Sequence, residues 1–336
     1  VCDLAVPKEK MSLRYRLGAF LKLLIVCTVA AGLLILPGRV NDYVLFVINT
    51  IVVYCLVSVG FNIVIGYLGQ LAFANAAFFG IGAYATGLLM VHLAMPFLAA
   101  LALGALAGAM AGALITLPAL RLSGYYLVTV TWAFTELMRW IYVHGGSITF
   151  GSSGFNVPQA TVFGFALSDE QQKYYVFVVI VILGFLATGR LLSSRFGRAF
   201  VAIRNNEMAA AMIGIPVART KLIAFAWSGF VVGLAGGLYA ILNGRVTPES
   251  FGLDQTLLHF VIVMVGGLGS LLGSVLGAVL LTSVPEVLRN LPGLEEIALS
   301  LILIVVLFFL PKGIGGFAAN AIPIFRETLY RRRRRA

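Results

Sequence analysis

Thr256–Val284 reads TLLHFVIVMVGGLGSLLGSVLGAVLLTSV, and whether it is one membrane span or two decides the fold. Read as a single long span, it gives nine apolar segments in the chain. Broken at GGLGS, Gly266–Ser270, it gives ten. Charge arbitrates between them. Lys8, Lys10, Arg14, Arg16 and Lys22 crowd one end of the chain, and Arg331–Arg335 the other. Loops on the cytoplasmic side carry the excess of Lys and Arg. Nine spans put the two basic ends on opposite sides. Ten put both inside, together with Arg121, all of Ser193–Lys221 and Lys312. The outer loops then hold only Arg39, Arg245 and Arg289, with Lys173 at a border. Thr256–Val265 is too short to cross ~30 Å of hydrocarbon alone, so it is expected as a half-helix supported by its neighbours.

The remaining spans are expected near Leu17–Leu36, Tyr43–Ile65, Leu71–Leu93, Phe97–Leu117, Gly124–Val143, Tyr174–Leu192, Leu222–Asn243, Leu271–Val284 and Ile297–Leu310. Composition agrees. Of 336 residues, 60% are hydrophobic and 11% charged, far from the ~25% charged of a soluble domain. The expected fold is therefore all-α: a polytopic transmembrane helical bundle of about ten spans, including broken or half-helices. Residues 1–16 read as a basic cytoplasmic tail, 17–311 as the membrane domain, and 312–336 as a second basic tail. The net charge of +11 does not imply nucleic acid; basic tails beside spans serve cytoplasmic retention and anionic lipid. Cys27 and Cys55 fall in apolar spans and read as small buried hydrophobes. No disulfide framework or metal-ligand spacing stands out. The sequence opens on Val1, so the native start is expected upstream or near Met11. It shows no small-residue cleavage site of a signal peptide.

The break at Gly266 has a twin. GYLGQL, Gly66–Leu71, lies 200 positions before GGLGSL, Gly266–Leu271. Each follows an apolar run and precedes a helix rich in small residues. Gly-interrupted spans at corresponding places in two halves point to a transport path at the membrane midplane. Two coincident Gly-rich packing sites are the alternative, but the shared G-x-L-G-x-L favours an internal repeat. The candidate path residues are Asn62, Gly66, Gly69, Gln70, Asn75, Gly266, Gly267, Gly269 and Ser270. Gly104, Gly108 and Gly112 recur every four positions, as do Gly229, Gly233 and Gly237, and Gly269, Gly273 and Gly277. That spacing lets membrane helices approach closely. The Gly- and Ser-rich loop His144–Lys173 is long enough to be a lid or a landing site for a partner, or a plain surface connection.

Ser193–Lys221 is the longest polar interruption with concentrated positive charge. It holds a miniature helix with both ends marked. Asn205 or Asn206 suits the N-cap, Glu207 falls in the first turn where the dipole favours an anion, and Gly214 and Pro216 end it. About two turns of isolated helix are marginal in water. The segment is therefore either a peg held by a cytoplasmic partner, or a loop helix resting on its own protein. As a peg it would use Ala209, Ala210, Met212 and Ile213 as contacts.

Glu136 and Arg139 are the charges well inside a predicted span, three apart and able to pair. Such a pair is either functional or a neutralised structural feature. The histidines His92, His144 and His259 are far apart in sequence. There is no H-E-x-x-H, no G-x-S-x-G and no G-x-x-x-x-G-K-[ST]. The chain therefore offers no enzyme chemistry, no metal site and no phosphate-cradling loop of its own. A secondary transporter or channel would need ion-coupling carboxylates in the spans, and Glu136 is the one on offer.

GFNIVIGYLGQLAFANAAFFGIGAYATGLL (Gly60–Leu89), LRLSGYYLVTVTWAFTELMRWI (Leu120–Ile141), FGRAFVAIRNNEMAAAMIGIPVARTKLIAFAWSGFVVGLAGGLYA (Phe196–Ala240) and GGLGSLLGSVLGA (Gly266–Ala278) resemble the LivM-type permease of branched-chain amino-acid ABC importers. The resemblance runs from about Leu17 to Lys312. It implies a non-enzymatic transport subunit in the bacterial inner membrane, with both termini cytoplasmic. It implies a second, LivH-like permease subunit, two cytoplasmic ATPase subunits that carry the ATP and Mg²⁺, and a periplasmic substrate-binding protein. It also implies that Glu207–Gly214 is the coupling segment, within a coupling loop over 193–221. Permeases for urea or short amides are the alternative, because Asn75 stands where many relatives carry His.

Overall fold

The computed structural model describes residues 36–162 and 165–288 and, beyond them, 300, 301, 304, 308 and 313–316. Both basic clusters, the expected span Leu17–Leu36 apart from its last residue, and most of Ile297–Leu310 lie outside these residues. What is described is almost wholly helical. The helices are α1 (Asp42–Asn62), α2 (Asn75–Leu93), α3 (Phe97–Ala119), α4 (Tyr125–His144), α5 (Glu170–Ser193), α6 (Arg195–Asn205), α7 (Glu207–Met212), α8 (Val217–Asn243), α9 (Leu253–Gly266) and α10 (Leu271–Leu288). α1 continues through a wider π-type turn, Ile63–Leu68. Each span expected within the described residues falls on a helix. Asp42–Leu68, α2, α3, α5, α8 and α10 are long and apolar enough to cross a bilayer. This is an all-α, multi-pass membrane protein.

Glycine spacing sets how the helices pack. Without water to expel, membrane helices associate by close van der Waals contact. α8 is the central helix, held between α3 and α2. On the α3 side, a Cβ at Gly108 would lie 2.3 Å from the Gly229 carbonyl oxygen, and one at Gly112 would lie 2.1 Å from that of Phe225. On the α2 side, a Cβ at Gly82 would lie 2.0 Å from the Gly233 carbonyl oxygen. The first two glycine triplets are thus the seam between α3 and α8. The third joins α10 to α9, where a Cβ at Gly277 would lie 2.3 Å from the Ile262 carbonyl oxygen. Gly82→Val should therefore lower the thermal stability of the detergent-purified protein by at least the ~1–3 kcal/mol of an overpacked core. The check is a thermal unfolding curve; an unchanged midpoint would mean that α2 and α8 do not pack this way.

The bundle has two distinguishable ends. At one, Asn49 donates to the Glu170 carboxylate at 3.0 Å, and Tyr43 hydrogen-bonds Glu286. The long loop after α4 lies there and carries short strands. Phe155–Asn156 (β1) pairs antiparallel with Arg245–Val246 (β4), and a hairpin joins Thr161–Val162 (β2) to Phe165–Ala166 (β3). At the other end the feet of α3 and α8 meet, with Lys221 Nζ donating to the Ala119 carbonyl at 3.3 Å. The helices α6 and α7 lie at this second end.

Candidate translocation and coupling site

The two glycine breaks meet each other. α1 and its π turn end at Gly69, whose φ of +76° is a left-handed conformation that glycine adopts freely. The chain then runs without helix to Asn75. α9 ends at Gly267, and the turn to α10 passes through Gly269 at φ +79°. Asn62 bridges them. Its Oδ1 accepts from the Gly269 N–H at 2.9 Å, and its Nδ2 donates to Ser274 Oγ at 2.6 Å and to the Ser270 carbonyl at 2.9 Å. A Cβ at Gly66 would lie 2.4 Å from the Gly269 nitrogen. Asn62, Gly66, Gly69, Gly266, Gly267, Gly269 and Ser270 therefore form one cluster, although nearly two hundred residues of chain separate the halves.

Depth corrects the midplane expectation. Gly66 sits about 36 Å along a helix that starts at Asp42, at ~1.5 Å per residue. That is a full crossing, so the cluster lies toward the end of the bundle that carries α6 and α7. α9 is short, as expected for a half-helix, and its turn reaches the same level.

Asn75 is fully buried, with its Nδ2 2.9 Å from His259 Nδ1. His259 Nε2 lies 2.9 Å from Gln255, which donates to the Tyr54 hydroxyl at 3.0 Å. This chain of hydrogen bonds ties α9 to α1 and α2. Gln70 is half-buried, and its Oε1 has no partner among the described residues. The non-helical strip is held from the side by α4: the Phe73 N–H donates to Thr131 Oγ1 at 2.7 Å, and Thr135 Oγ1 donates to the Phe73 carbonyl at 2.9 Å. The sequence reading passed over this pair, although two threonines four apart on one helix face were a visible signal.

The residue missed with the most consequence is Arg204. It lies in the last turn of α6, and its guanidinium donates to the Gly66 carbonyl. Its side chain also fills the space beside both left-handed glycines: a Cβ at Gly69 would lie 2.6 Å from Arg204 Cγ, and one at Gly269 would lie 2.9 Å from Arg204 Nη1. Arg204 reads in sequence as one more cytoplasmic charge, and only the fold carries it to both breaks.

Two residues later the chain enters α7. Asn206 is the N-cap, its Oδ1 accepting from the Ala209 N–H at 3.0 Å. Glu207 pairs with Lys221 of α8 at 2.7 Å. Gly214 closes the helix at φ +85°. The short helix is thus held on its own protein by one cap, one ion pair and one buried side chain, that of Ala210 at 2% exposure. This revises the expected contact face. Ala210 points inward, whereas Met208 (72%), Met212 (77%) and Ile213 (76%) are exposed, and Ala209 is exposed as well. Glu136 and Arg139 pair at 3.3 Å near the far end of α4. Among the described residues, no group of three or more His, Cys, Asp or Glu side chains could hold a metal.

Comparison with known proteins adds the following. A family model described as "Branched-chain amino acid transport system / permease component" matches residues 43–310. The chain is 31% identical to the high-affinity branched-chain amino acid transport system permease protein LivM of Salmonella typhimurium, over 88% of this chain and 74% of that protein. It is 30% identical to LivM of Escherichia coli over the same shares. A probable LivM of Methanocaldococcus jannaschii is 25% identical over 67% of this chain and 75% of its own length. No solved structure matches.

Proposed function

The chain belongs to the family of branched-chain amino acid transport permease components, and from that premise we propose that it is the permease of an ATP-driven importer for branched-chain or related hydrophobic amino acids. Two cytoplasmic ATPase subunits carry the ATP and Mg²⁺. A second related permease and a periplasmic binding protein complete the complex. It sits in a bacterial inner membrane with both termini inside.

The observation that supports the coupled reading is the path from α7 to the breaks. A push on the exposed face of α7 reaches α6 through the Asn206 joint. The last turn of α6 carries Arg204, which touches Gly66, Gly69 and Gly269 together. A shift of α6 by a fraction of a turn must therefore open or close the contact between the two breaks.

The amide alternative rested on Asn75. Its place inside the His259 network favours a structural role there over selection of substrate. The experiment is uptake of labelled leucine by the complex reconstituted in vesicles. Isoleucine and valine should compete with leucine, and urea should not. Competition by urea and none by valine would move the assignment to amides.

A further inference from the structure

At the end of the bundle opposite α7, an open cavity of about 200 Å³ is lined by Arg139 and Val143 of α4, Ser152, and Pro248 and Glu249 of the turn after β4. A water's share of liquid volume is ~30 Å³, so this is room for on the order of six waters or one small amino acid. Its two charges are opposite and unjoined. Arg139 faces Glu136 through Nε at 3.3 Å, which leaves its terminal nitrogens without a hydrogen bond among the described residues. Glu249 is exposed and forms no ion pair there. A cation and an anion therefore face one space without neutralising each other. The same lining includes the apolar side chains of Val143 and Pro248.

We propose that this cavity is a station for a zwitterionic amino acid, with the substrate carboxylate on Arg139, its ammonium on Glu249, and its aliphatic side chain against Val143 and Pro248. The guanidinium fork matches a carboxylate geometrically. Glu136 orients Arg139 and offsets part of its charge, which keeps the hold weak enough for release, as a transport path requires. The station also gives the half-exposed ion pair on α4 a use. Neutral urea would have no use for a split pair of charges. The proposal rests on the amino-acid reading above and sharpens it.

The test is saturation-transfer NMR on the whole permease–ATPase complex in nanodiscs, without binding protein and with leucine as the probe. Leucine methyl signals are expected from the wild type. They should fall on the order of tenfold or more in Arg139→Gln and in Glu249→Gln, as loss of a charge-assisted hydrogen bond predicts. Glu249 is exposed, so its variant keeps the test clear of misfolding. Isocaproate, which lacks the ammonium, and leucinamide, which lacks the carboxylate, should fail to displace leucine. Unchanged signals in both variants, or displacement of leucine by both isocaproate and leucinamide, would overturn the station. So would variants that keep the leucine signal but fail to retain the binding protein in a separate pull-down with it added, because the pair would then be a docking contact. If the wild-type complex imports no branched-chain amino acid, the functional reading falls and the station with it. If import stands and the variants bind leucine normally, the station alone falls.

Discussion

Met208→Asp and Met212→Asp are each expected to strip the ATPase subunits from the purified complex while leaving the chain in the membrane at wild-type amount. Met208 and Met212 stand exposed on a six-residue helix, and Ile213 is exposed at its C-cap. Flexible Met side chains on an exposed helix suit a groove in a partner. Burying one such side chain is worth ~1.5–3 kcal/mol, and placing a carboxylate in the same groove reverses the sign and adds a desolvation cost. Each substitution should therefore weaken association by several kcal/mol, which removes a partner held at micromolar strength. The spans should not notice, since neither Met is buried in this chain. Ala210→Asp is not an equivalent test: Ala210 is buried against its own protein, so a charge there would unseat α7 directly. Retention of the ATPase by both Met variants would make α7 an ordinary surface helix.

Arg204→Ala is expected to leave the complex assembled and hydrolysing ATP while leucine uptake falls roughly tenfold to a hundredfold. The range follows from the ~1.5–3 kcal/mol of a hydrogen bond from a charged donor. Arg204 does not lie on the exposed face of α7, so the ATPase should still dock. What is lost is the side chain that links α6 to both breaks. Gly69→Leu and Gly269→Leu attack the same joint from the other side. Each forces a side chain onto a left-handed backbone and into Arg204, and each should abolish uptake. A merely structural Arg204 would instead lower uptake and assembly together, so hydrolysis per leucine imported is the quantity to measure.

Much of this was legible in the residues. Apolar length located the spans, because crossing a bilayer as helix demands about 20 apolar residues. The break at Gly266–Ser270, the twin at Gly66–Gln70 and the caps of α7 were also readable, since glycine and asparagine there answer to local backbone geometry. What stayed hidden depends on how distant segments meet. Nothing about Arg204 in sequence says that it lies between Gly66 and Gly269. Nothing local says that Ala210 faces inward while Met208 faces out, because a six-residue helix carries too little periodicity to show its buried side. The depth of the breaks was misjudged because Gly66 was read as an interruption of a span, whereas the helix before it is already long enough to cross.

The central claim is that hydrolysis on separate subunits drives import through α7, α6 and the joined breaks. It is tested most directly in vesicles that hold the complex with either ATP or ADP in the compartment facing α7, with wild type and Arg204→Ala side by side. Leucine should accumulate only with ATP in the wild type, while the variant consumes ATP and accumulates on the order of a tenth as much or less. Leucine accumulation of equal size with ADP, or full uptake by Arg204→Ala at an unchanged cost in ATP, would contradict it.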